Sequence, residues 1–149
     1  TMRKWRARLD RAAAFTAGDW RLFLEAISLL VGVHAALRLV GLPRLVTWAS
    51  RVRPREALLT SADVERAAWF VAAAGRLTGL RCLPRALALT RLLGRRGVAA
   101  DLRIGVRHEG ATLLAHAWVE WNGRALNDDE QHLRQFSRFE GALGGISHA

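Results

Sequence analysis

The apolar positions of this chain change period once. Up to about residue 95 they recur at intervals of three and four, the spacing of one helix face; from residue 101 they alternate, the spacing of one strand face. A basic first segment reads as a helix. A second, apolar helix starts at Asp19, before Trp20, and stops at Gly41 and Pro43, and a short third one follows over residues 45–50. The charged stretch RVRPRE at 51–56 reads as a link. Beyond it, Thr60 or Ser61 caps a helix whose apolar face carries Val64, Ala67, Ala68 and Val71, ending at Gly75 or Gly79. The next helix runs from Leu83 to about Arg95 and is stopped by Gly94 and Gly97. Leu102, Ile104 and Val106 then alternate with Asp101, Arg103 and Gly105, a half-buried strand. RHEG turns the chain into a second strand, ATLLAHAWVEW; the Asn122-Gly123 pair signals a hairpin, and RALND is a third strand. The tail from Glu130 is polar and ends Gly-rich.

Helices followed by an antiparallel meander define an α+β fold. The pattern divides at residue 58 into a helical region, 1–58, and a core, 59–149, expected to form one compact unit. With 149 residues, 51% hydrophobic and 24% charged, the chain has the composition of a globular protein. Such a chain buries about two-thirds of its unfolded surface.

Net charge is +10, carried by arginine, with Lys4 the sole lysine. This suits acidic partners without naming one. The arginines are spread over all segments and no nucleic-acid motif occurs, so no nucleic-acid partner is expected. The apolar run 22–41 is interrupted by Glu25, His34 and Arg38. Its uncharged middle, 26–33, is far shorter than the roughly 20 residues of a membrane span. A buried helix is expected there, without membrane association. One cysteine excludes an internal disulfide, and Met2–Leu9 is basic without the apolar core and cleavage site of a signal peptide. A cytoplasmic location is expected. The five histidines (34, 108, 116, 132, 148) show no metal-ligand spacing, so neither metal nor cofactor is expected.

Candidate chemistry centres on Cys82. The thiolate is the attacking form of a cysteine, and a helix N-terminus supplies partial positive charge and free N–H groups that favour an anion. Pro84 suits a first helical turn, and Arg81 and Arg85 add positive charge. Against this, free cysteines are among the most buried residue types. The hairpin tips the balance, because His116 lies mid-strand with acids following on the next strand. A thiol nucleophile needs a histidine base, and the base needs a third group to fix its tautomer. A two-residue turn at Asn122-Gly123 makes paired residue numbers sum to 245 and sets His116 opposite Asp129. A three-residue loop, Trp121 to Gly123, makes the sum 244 and sets it opposite Asp128. Spacing alone leaves both open.

The stretches CLPRALALTRLLGRRGVAADLRIGV and AHAWVEWNGRALND resemble the lasso-peptide B2 proteins. These are leader peptidases of the transglutaminase-like cysteine protease superfamily. The resemblance covers roughly residues 60–130 and implies a catalytic helix packed on the meander. It places the nucleophile at Cys82, the base at His116 and the orienting acid at Asp128, and so favours the three-residue loop. More distant papain relatives carry a Gln shortly before the cysteine; residues 76–81 hold no Gln or Asn, leaving backbone N–H groups at Cys82 as oxyanion donors. The implied activity is removal of a leader from a ribosomally made precursor peptide, freeing an amine for a separate ATP-dependent cyclase. Some relatives carry a fused leader-binding domain. No β-rich segment precedes residue 98, so a separate leader-binding B1 protein is the expected partner, docking on the helical first half. The alternative is another acyl-transferring or amidase member of the same superfamily.

Overall fold

The computed structural model describes residues 15–54 and 59–138. The expected basic first helix, part of the link and the end of the tail lie outside them. The helices are α1 (Ala17–Leu39), α2 (Leu42–Ala49), α3 (Ser61–Thr78), α4 (Cys82–Arg95) and the short α5 (Glu130–Leu133). The strands are β1 (Asp101–Glu109), β2 (Thr112–Trp121), β3 (Arg124–Ala125) and β4 (Ser137–Arg138). The fold is α+β, with helices first and an antiparallel sheet after them.

Two capping boxes set the starts of the long helices. Thr16 accepts from the Asp19 N–H at 3.2 Å while the Asp19 carboxylate accepts from the Thr16 N–H at 2.8 Å. Asp19 is thus the third residue of α1 rather than its cap. Thr60 and Asp63 repeat the device at α3. α2 begins at Leu42, earlier than expected, because Pro43 fits the first turn of a helix instead of ending one.

α4 is the axis of the core. Ala86, Leu87, Ala88, Leu89, Leu92 and Leu93 are all fully buried. One side of α4 meets Ala26 and Leu30 of α1 and Val64, Ala67 and Val71 of α3, and the same cluster continues into Ala117 and Val119 of β2. Leu87 packs separately with Val33, Leu45 and Ala49 of α1 and α2. Gly94 does not stop α4. It lies inside the last turn, where a Cβ would come within 2.5 Å of the Arg51 carbonyl oxygen. Gly97, at φ +81°, turns the chain away.

The expectation of a buried second helix holds on one face only. Ala26, Leu30 and Val33 of α1 point inward, whereas Trp20, Leu24, Val31 and Leu39 are exposed. By length and composition α1 is apolar enough to cross a membrane.

The sheet order is β3-β2-β1-β4. Trp121 pairs with Arg124 and Glu120 with Ala125, so the hairpin register sums to 245. This corrects the three-residue loop. Asn122 at φ 50° and Gly123 at φ 75° form a two-residue turn with both central residues left-handed, the conformation Asn-Gly favours. The third strand is also shorter than RALND. Leu126 still donates to the Val119 carbonyl at 2.9 Å, but the Val119 N–H then goes to the Asn127 side-chain oxygen at 2.8 Å. A side-chain acceptor replaces the main chain, and the strand leaves the ladder. The tail then crosses the sheet face and returns as β4, pairing Arg138 with Gly105 on the free edge of β1. A Cβ at Gly105 would meet the Trp118 ring at 2.9 Å and the Phe136 Cβ at 3.0 Å, so only glycine admits both side chains.

Candidate active site

Cys82 is the first residue of α4, with extended Arg81 at the N-cap and no capping side chain. The first backbone bond of the helix runs from the Arg85 N–H to the Arg81 carbonyl at 3.3 Å. The N–H groups of Cys82 and Leu83 precede it and belong to the open end of the helix, and Pro84 has none to offer. The thiol is free and half-buried.

His116 stands on β2 opposite Gly105. Its Nε2 hydrogen-bonds Oδ2 of Asp128, and both side chains are 19% exposed. Continued pairing in the observed register would have set Asp129 across from His116. The detour at Asn127 brings Asp128 there instead, so the acid expected at His116 arrives by a route other than the expected loop. Asp129 has a different task, accepting from the Gln131 N–H at 3.2 Å as the cap of α5. Cys82, His116 and Asp128 line one cavity of about 400 Å³, together with Arg81, Arg85 and Asn127. The cavity lies where the start of α4 meets β2 and the segment after β3.

Three further side chains surround His116. Trp118 stacks with it at 6.2 Å between ring centroids, Phe136 lies tilted at 5.2 Å, and His132 of α5 meets it edge-on at 5.4 Å. Trp118 was accessible to sequence reasoning, because residues two apart on a strand share a face. His132 and Phe136 come from the tail, where no periodicity marks an approach to β2.

Beneath this group Glu120 is 9% exposed. It accepts from the Trp118 indole at 3.0 Å, Arg138 at 2.8 Å and Arg103 at 3.2 Å. Burial pushes its carboxyl up, but the Trp118 N–H and the two guanidinium groups outweigh that and hold it below the usual glutamate range.

The arrangement suits nucleophilic chemistry on a carbonyl: a thiol at a helix start, and an imidazole with an acid on one ring nitrogen and, among the described residues, no partner on the other. No curated protein and no solved structure matches the chain. Residues 28–140 match the family model of the transglutaminase-like superfamily, whose members are typically cysteine-dependent enzymes. That match takes in Cys82, His116 and Asp128 and spans well over half the sequence: the chain belongs to the transglutaminase-like superfamily.

Proposed function

We propose that the protein is a cysteine peptidase that removes the leader from a ribosomally made lasso-peptide precursor. One observation carries the reading: in a chain of this superfamily, Cys82 shares a cavity with an imidazole already bonded to Asp128. The motifs around these residues, CLPRAL, HAWVE and ND, resemble those of lasso-peptide leader peptidases.

In this mechanism Cys82 Sγ attacks the carbonyl carbon of the last leader residue, its proton passing to His116. The oxygen of the tetrahedral intermediate takes hydrogen bonds from N–H groups at the start of α4. With Nε2 held by Asp128, Nδ1 is the nitrogen that handles the proton. It protonates the departing core amine, the C–N bond breaks, and a thioester remains on Cys82. His116 then takes a proton from water, which attacks the thioester and releases the leader as a carboxylic acid. Asp128 fixes the tautomer and stabilises the imidazolium. The freed amine is the group a separate ATP-dependent cyclase requires. The chemistry needs no metal or cofactor. A separate leader-binding protein would raise the effective concentration of precursor at Cys82. We place the reaction in the cytoplasm, where a lone thiol stays reduced.

Mass spectrometry of a precursor produced with this chain tests the reading. The leader and core should appear as separate products, and Cys82→Ala should leave the precursor whole. Ammonia released from a glutamine-containing peptide, with the leader still attached, would instead favour an amidase or acyl transferase.

A further inference from the structure

His132 was not singled out by any chemical pattern in the sequence, yet α5 carries it to the His116–Asp128 pair. One donor atom from each of His116, Asp128 and His132 lies within 4.8 Å of the other two, and all three residues are half-buried. They come from β2, from the segment after β3, and from α5, which is held in place by its Asp129 cap and by Phe136 against His116. Two imidazoles and one carboxylate are a donor set that zinc and similar borderline divalent cations take.

We propose that these three side chains form an inhibitory divalent-cation site, zinc being the fitting ion, which silences the acid–base pair when filled. The inhibition rests on the peptidase reading above; the binding does not. A four-coordinate zinc with bonds of about 2.1 Å spaces its donor atoms roughly 3.4 Å apart. Reaching that spacing requires His116 Nε2 and Asp128 Oδ2, now hydrogen-bonded to each other, to part and admit the ion with His132 beside them, and the neighbouring cavity can hold a water as fourth ligand. Binding at Nε2 shifts the proton that His116 shared with Asp128 to Nδ1, the tautomer a metal-bound neutral imidazole adopts. The imidazole is then tied to the metal and can no longer cycle a proton for Cys82. His132 supplies the extra ligand that turns a histidine–aspartate pair into a metal site.

The decisive experiment uses the Cys82→Ala chain, so that no thiolate can serve as a ligand. Calorimetric titration with Zn²⁺ should give one ion per chain, and Co²⁺ should give the visible bands of a four-coordinate site. His132→Ala and His132→Gln should each weaken binding at least about tenfold, while His108→Ala, at the exposed end of β1, should not. In the otherwise unaltered chain, Zn²⁺ should stop precursor cleavage reversibly on chelation, and His132→Gln should relieve that inhibition. Binding that requires Cys82, or that is unchanged in both His132 variants, overturns the site. Should the chain bind Zn²⁺ through His132 yet never cut a precursor, the peptidase reading fails and the metal site stands.

Discussion

Asp128 and Asp129 are adjacent in sequence and differ in task, which a pair of isosteric substitutions can separate. Asp128→Asn keeps the shape beside His116 Nε2 but removes the charge that would stabilise an imidazolium, so turnover should fall by orders of magnitude. Asp129→Asn should cost little, since asparagine caps a helix as well as aspartate does. Equal losses in kcat for the two variants would remove Asp128 from the mechanism. Glu120 makes a second prediction at this scale. Its folded-state carboxyl is held below the ordinary value of 4.5, so its contribution to stability is full above that value and is lost as pH falls through the folded value. Glu120→Gln should therefore destabilise by about 1–2 kcal/mol at neutral pH, toward the low end for charged hydrogen bonds because Arg103 and Arg138 are well exposed. Urea unfolding at pH 7 and near pH 3 checks this: the gap between variant and parent should narrow at the lower pH.

The elements show where local pattern sufficed. Thr60, Val64, Ala67, Ala68 and Val71 lie where a capped, amphipathic helix requires, and the alternation over Leu102–Val106 is a strand. Gly94 shows where it did not. Read locally, a glycine near the end of α4 is a stop signal; in the fold it is a crossing point, its carbonyl accepting from the Arg53 N–H at 2.8 Å. Helix propensity alone would make Gly94→Ala stabilising by about 1 kcal/mol. The 2.5 Å approach to the Arg51 carbonyl reverses the sign, because a backbone atom cannot swing aside as a side chain can. Thermal unfolding should show Gly94→Ala less stable by about 1–3 kcal/mol. The candidate site was legible to the same extent. Cys82 at a helix start and His116 on a strand are local facts, and spacing narrowed the acid to two neighbours. The route that delivers Asp128 depends on one side-chain hydrogen bond, Asn127 to Val119, and the approach of His132 and Phe136 depends on a tail folding back across the sheet. Neither leaves a periodic trace.

At the scale of the whole molecule, the Cys82 end of α4 is held in place by packing from both sides of the region around residue 58. Leu30 of α1 and Val64 of α3 are fully buried in one cluster with Leu89 and Leu92 of α4 and Val119 of β2. Val33, Leu45 and Ala49 bury the opposite side of α4 through Leu87. Without α1 and α2, α4 would face water along the sides they cover, and the sheet would rest on a helix backed by α3 alone. The helical region is therefore part of the scaffold of the site. Leu30→Ala tests this from a position remote from the chemistry. Removing a fully buried leucine side chain from a helix interior should cost about 2–5 kcal/mol. If the molecule unfolds as one unit, hydrogen exchange of the most protected amides in α1, α4 and β2 should accelerate by the same factor in the variant. A chain beginning at residue 59 should not fold. Acceleration confined to α1 and α2, with α4 and β2 as protected as in the parent, would mean that the site stands on residues 59–138 alone.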